Sequence, residues 1–207
     1  MAFDNERTIA KQFPRNDHER VMLDVVLTKL RRPMKDATDA TTHSVDAKTS
    51  HDSASREGII QLLNESLATE LVCVLRYKRH QFIAESLAMP GSAKEFLAYA
   101  TEELLHADQL AQRIVELGGK PDFSPFSLIQ HSHAAYDDSV DLKEMVSANL
   151  IAENAVIDNY CKILTLIGDS DLTTRRLVEY ILIDEMEHAE ELRHWNTEGP
   201  TPSRATR

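Results

Sequence analysis

The chain has 207 residues, with 23 Lys and Arg against 34 Asp and Glu, a formal net charge of −11. Six Gly, seven Pro and 6% aromatics beside 28% charged residues describe an all-α protein and exclude a β-sandwich or a wholly disordered chain. Residues 1 to 57 carry ten basic and ten acidic side chains, so the acidic excess lies entirely in residues 58 to 207. Such a body attracts cations and argues against DNA as a partner.

No apolar run approaches the roughly 20 residues that span a bilayer. The opening stretch MAFDNERTIAKQFPRND lacks the apolar core of a signal peptide, so the expectation is a cytoplasmic chain with no membrane partner. Cys73 and Cys161 fall on different predicted helices and form neither a CxxC redox pair nor a disulfide framework; core packing is their expected role.

Asp17 to Arg32 can form one short amphipathic helix through Val21, Leu23, Val25, Val26 and Leu30. Residues 33 to 55 are rich in Ser, Thr, Asp and Ala without apolar periodicity, so residues 1 to 55 read as a flexible extension. Four long segments follow with apolar residues recurring at three and four. The first runs from about Arg56 to Ala88 and stops at Met89-Pro90-Gly91. The second opens with Ser92-Ala-Lys-Glu95, a capping box, and closes at Gly118-Gly119-Lys-Pro121. The third opens with Asp141-Leu-Lys-Glu144 and ends at Gly168; the fourth begins near Asp171 and ends before Gly199-Pro200, leaving residues 199 to 207 as a polar tail.

Short links should fold the first and second helices, and the third and fourth, into antiparallel hairpins. Gly119 to Val140 separates the two hairpins. A helix of this length measures about 40 Å, which a dozen extended residues can cover. The expected fold is therefore a four-helix bundle of residues 56 to 198 with one long crossover between its second and third helices.

The chemistry lies in an internal repeat. Glu102-Glu-Leu-Leu-His-Ala-Asp-Gln-Leu110 matches Asp184-Glu-Met-Glu-His-Ala-Glu-Glu-Leu192 at an offset of 82. Glu70 with Tyr77, and Glu153 with Tyr160, repeat at an offset of 83. Glu and His three apart share a helix face, so Glu103 with His106 can grip one ion and Glu185 with His188 another. Glu70 and Glu153 complete the set from the other two helices. Four carboxylates balance two divalent cations, and the mixed ligand set suits iron or manganese better than zinc.

One such spacing alone is weak: Glu191-Leu-Arg-His194 also has it, but lies about 120° around the helix from Glu185 and reads as a solvated decoy. The run Arg76-Tyr-Lys-Arg-His80 likewise reads as a solvated basic face, and His131 and His133 as loop residues.

These residues and their order resemble the bacterioferritin-like branch of the ferritin-like superfamily over about residues 58 to 195. The resemblance implies a ferroxidase that oxidises Fe(II) with dioxygen or hydrogen peroxide for iron storage or detoxification. It further implies two Fe ions per subunit bridged by Glu103 and Glu185, with Glu70 and Glu153 terminal and His106 and His188 completing the set. Manganese redox chemistry shares these ligands. Tyr77 matches a tyrosine beside the iron pair, with Tyr160 its repeat counterpart, while Glu102 and Asp184 would orient the opposite histidines.

Departures refine the picture. Leu104 stands where bacterioferritins carry the haem-binding methionine, which argues against haem. Only 19 residues follow His188, and Gly199-Pro200 leaves no space for the fifth helix of 24-subunit cages, so the expected homo-oligomer is a miniferritin-like dodecamer. An erythrin-type peroxidase would want a carboxylate where Val156 stands and usually a CxxC unit. A DNA-associated miniferritin cage would want a basic tail, and this tail is neutral.

Overall fold

Ser55 starts the first helix: its hydroxyl accepts from the backbone N–H of Gly58 at 3.1 Å, satisfying a donor that the helix itself cannot. A computed structural model describes residues 55–198 of the chain. The expected helix over Asp17 to Arg32, the linker after it and the tail from Gly199 lie outside the described residues. Within them are α1 (Arg56–Ser86), α2 (Pro90–Glu116), the single turn α3 (Leu128–His131), α4 (Leu142–Ile167) and α5 (Leu172–Glu198).

The ends follow local chemistry. α1 stops two residues earlier than expected, in a reversal where the N–H of Ala88 bonds Glu85 O and that of Met89 bonds Ala84 O. Ala88 takes the left-handed turn, at φ 56°. The serine cap expected at Ser92 does not form. α2 instead begins at Pro90, whose missing N–H costs nothing in a first turn, and Ser92 is buried within the helix. α2 closes through Gly118 at φ 80°, while Asp141 caps α4 by accepting from Lys143 and Glu144 N–H.

α1 packs on α2 and α4 on α5, and the two hairpins face each other. Buried Leu63, Leu67 and Val72 of α1, Phe96, Leu110 and Ile114 of α2, Met145, Ile163 and Ile167 of α4 and Val178, Ile181 and Leu192 of α5 build the core. Between hairpins, Ser66 pairs with Asn159, Tyr77 with Glu153 and His80 with Asn149, so α1 and α4 run antiparallel. Tyr99 with Glu191, His106 with Asp184 and Arg113 with Thr174 show the same for α2 and α5.

That arrangement requires the crossover to travel the bundle's length, and it does so along α1. Asp122 N–H bonds Asn64 Oδ1, His133 N–H bonds Thr69 Oγ1, and Arg76 and Arg79 donate to the carbonyls of Ala135 and Asp138. The basic run is therefore not a solvated face: Arg76 is 1% exposed and His80 fully buried, both covered by the crossover. The fold also corrects the expectation about apolar runs. α1 holds an 18-residue window of mean hydropathy 1.4, long and apolar enough in composition for a membrane span, yet half of it is buried inside the bundle.

Candidate metal centre

Six side chains converge midway along the bundle. Glu70 comes from α1, Glu103 and His106 from α2, Glu153 from α4, and Glu185 and His188 from α5; all are buried. They fall into two overlapping quartets, Glu70, Glu103, His106 and Glu185 in one, and Glu103, Glu153, Glu185 and His188 in the other. Within each quartet the nearest donor atoms all lie within 4.8 Å of one another. Glu103 and Glu185 belong to both.

What surrounds the six decides how they point. Tyr160 of α4 donates its hydroxyl to Glu70 Oε1, and Tyr77 of α1 donates to Glu153 Oε1. Each tyrosine thus holds the outer oxygen of a glutamate on the facing helix and leaves the other oxygen aimed inward. On the opposite side, His188 Nε2 lies 2.7 Å from Glu102 Oε2 and His106 Nε2 lies 3.3 Å from Asp184 Oδ2. Each imidazole is oriented by the carboxylate preceding the other helix's glutamate, with Nδ1 turned into the cluster.

The inward atoms have no hydrogen-bond partners. Glu70 Oε2, Glu153 Oε2, both oxygens of Glu103 and of Glu185, and Nδ1 of His106 and His188 are all buried and unpaired. His106 Nδ1 lies only 2.9 Å from Glu185 Oε1, yet without the alignment of a hydrogen bond. Orphaned buried polar groups are rare and expensive, and eight of them facing one space fit a set of ligand atoms completed by cations. Gln109 Oε1 is also buried and unpaired. It occupies the repeat position of Glu191, and the residue corresponding to Tyr99 on its side is Ile181, which has no hydroxyl to offer.

Protons balance the cluster when it holds no metal. Burial, with the charge of Glu103, pushes the Glu70 carboxyl up to about 8, and burial with Glu103 and Glu185 raises Glu153 well above the carboxylate range. Burial opposes the ionised forms of Glu103 and Glu185 too, but the close approach of both histidines holds these two low. Burial disfavours the imidazolium of His106 and of His188; the bond to Asp184 or Glu102 and the nearness of the cluster glutamates outweigh it and raise both. Two imidazoliums, two carboxylates and two neutral carboxyls sum to zero, as do four carboxylates, two neutral imidazoles and two divalent cations. Burial likewise pushes the phenols of Tyr77 and Tyr160 up, so they remain proton donors to their glutamates.

Comparison with known proteins places this arrangement. The family model of the ferritin-like domain matches residues 60–200, more than half of the chain. The chain belongs to the ferritin-like family. It is similar to the bacterioferritin of Mycobacterium avium, 27% identical over 135 residues that cover 65% of this chain and 80% of that one. The bacterioferritin of Streptomyces coelicolor is 30% identical over 135 residues, covering 65% and 77%. Among solved structures, a bacterioferritin-related protein from Bacteroides fragilis, described as a dodecameric thioferritin, aligns with a TM-score of 0.67 and 27% identity over 70% of this chain and 88% of that one.

Cys73 is buried beside Arg76 and Cys161 half-buried, and neither forms a disulfide among the described residues. Glu191 is a decoy as a ligand but not a solvated one: it is half-buried and accepts the Tyr99 hydroxyl at 2.8 Å, and the Tyr99 ring lies 4.8 Å from His188. It stays outside both quartets, as do His131, His133 and His194. Sequence reasoning missed the buried pairs beside the centre, Arg76 with Asn149 and Asn159 with Ser66. The repeat offset of 83 could have found them, because it maps 76 onto 159 and 66 onto 149.

Proposed function

We propose that this chain is a di-iron ferroxidase serving iron storage or detoxification. Two Fe(II) ions enter as substrate, one per quartet, with Glu103 and Glu185 shared between them and Glu70 and Glu153 terminal. The observation that carries this reading is the set of eight buried, unpaired donor atoms, supported by relatives that are bacterioferritins. Oxidation passes one electron from each ion to the oxidant. Dioxygen with two protons leaves as hydrogen peroxide; hydrogen peroxide with two protons leaves as two waters. The protein's part is placement and charge. His106 and His188 bind through Nδ1 while Asp184 and Glu102 hold Nε2–H. Tyr77 and Tyr160 keep the terminal glutamates turned inward. Cation entry displaces the protons that otherwise keep the centre neutral.

Anaerobic titration of the metal-free protein with Fe(II), followed by oxygen or peroxide, tests this. Fast Fe(III) absorbance saturating near two irons per chain, and lost in Glu103→Ala, is the expected result. Oxidation no faster than in that variant would end the ferroxidase reading, and the same titration with Mn(II) measures how well manganese takes the donors.

The assembly we propose is a homo-oligomer of twelve chains. Large apolar side chains stand in solvent on the crossover and the helices, with Phe126 90%, Ile129 63% and Ile151 72% exposed, as contact surfaces between subunits would leave them in one chain. Twelve chains of 23.4 kDa should scatter light as about 280 kDa; twice that mass would mean a 24-subunit cage.

A further inference from the structure

We infer that Arg76 makes the two cation positions unequal, so that the Glu70/His106 position fills before the Glu153/His188 position. This rests on the paired-cation reading above and adds an order to it.

Arg76 is a buried guanidinium held by neutral partners. Nε donates to Asn149 Oδ1 at 2.7 Å and Nη1 to the Ala135 carbonyl at 2.9 Å, and Nη2 lies 3.6 Å from Cys73 Sγ. Burial pushes the Cys73 thiol up, so it is uncharged. Among the described residues no carboxylate lies within ion-pairing distance of Arg76. A guanidinium cannot shed its charge, and a buried charge without compensation is costly. The centre begins one residue away. The guanidinium carbon is 5.7 Å from the centre of the Tyr77 ring, and the Tyr77 hydroxyl donates to Glu153. Of the cluster carboxylates, Glu153 interacts most with Arg76, followed by Glu103.

The repeat provides an internal control. On the other side of the centre, Tyr160 donates to Glu70, and its neighbour at the position matching Arg76 is Asn159. Asn159 donates to Ser66, as Arg76 donates to Asn149, so the two halves keep the same polar contact and differ by one positive charge. That charge stands behind Tyr77 and Glu153 and has no counterpart behind Tyr160 and Glu70. It opposes a second cation beside Glu153 more strongly than beside Glu70. A unit charge acting on a divalent ion across a few ångströms of extra distance in a protein interior separates the two affinities on the order of tenfold.

Co(II), added anaerobically to the metal-free full-length protein and followed by its visible absorption and by calorimetry, reads both steps. The expected result is two steps about tenfold apart, the tighter lost in Glu70→Gln and the weaker in Glu153→Gln. Arg76→Asn, which installs the repeat's own residue, should strengthen the weaker step and bring the two together, while Arg76→Lys keeps them apart. A merely structural role for Arg76 would weaken both steps alike, and that outcome overturns the inference. Equal steps in the native protein, or a tighter step lost in Glu153→Gln, also overturn it while leaving the paired centre intact; the Glu70 and Glu153 variants decide this even if Arg76→Asn does not fold. Failure of Co(II) to bind at all overturns the paired centre and the order together.

Discussion

Glu70 shows how the centre works at the level of single residues. It is a buried carboxyl whose one oxygen takes the Tyr160 hydroxyl and whose other has no partner. Its folded-state value of about 8 stands above the ordinary 4.5. A raised value contributes stability that is present below the ordinary pKa and lost as pH rises through the folded one. The metal-free protein should therefore lose stability through Glu70 between pH 4.5 and 8, and cation binding should restore it. Glu70→Gln removes the charge and keeps the shape. Thermal melts at pH 8 should show it more stable than the native protein without metal, on the order of 1–3 kcal/mol, and less stabilised by Zn(II); equal melting without metal would mean that Glu70 is not held neutral there. The six clustered residues were legible in the sequence because the repeat sets acid, Glu and His at one helical spacing twice over. Arg76 and His80 were not. Their neighbours Lys78 and Arg79 make the run look solvated, and what buries them is the crossover, including Ala135 and Asp137, nearly 60 residues away.

At the scale of elements, caps and stops were legible wherever a residue has one dominant use. Asp141 caps as its chemistry demands, and Gly118 takes the left-handed turn. The start of α2 was not, because Pro90 and Ser92 both offered an opening and tertiary packing chose between them by burying Ser92. Gly119 has a second reason to be glycine that the sequence does not display. A Cβ there would lie 2.7 Å from Ile60 Cγ2, 3.0 Å from Ile114 Cγ2 and 3.2 Å from the Ile114 carbonyl oxygen. The crossover therefore leaves α2 pressed against α1, with backbone on one side that cannot swing away. Gly119→Ala should cost about 1–3 kcal/mol in urea unfolding, whereas an unchanged midpoint would show that the contact relaxes freely.

For the whole molecule, four helices, two hairpins and a single long crossover followed from apolar periodicity and link lengths. The path of that crossover did not, since its backbone bonds go to side chains of α1 such as Asn64, Thr69, Arg76 and Arg79, which no periodicity marks. Antiparallel packing of α1 on α4 and α2 on α5 brings Glu70 and Glu153 together with the two Glu/His pairs at one level. The bundle relates the halves by an approximate two-fold axis, which lets one short repeat supply two adjoining cation positions. The exceptions to that symmetry, Arg76 against Asn159 and Tyr99 against Ile181, are where the two positions can differ in strength.

On this reading the six residues hold two metal ions between them. Crystals of the full chain grown anaerobically with Fe(II), with diffraction collected on both sides of the iron absorption edge, test it most directly. Two anomalous peaks per chain are expected, one inside each quartet, with Glu103 and Glu185 touching both and Glu70 and Glu153 one each. A single peak, or iron found only at surface groups such as His194 or His131, would show that the six residues do not hold a pair of ions.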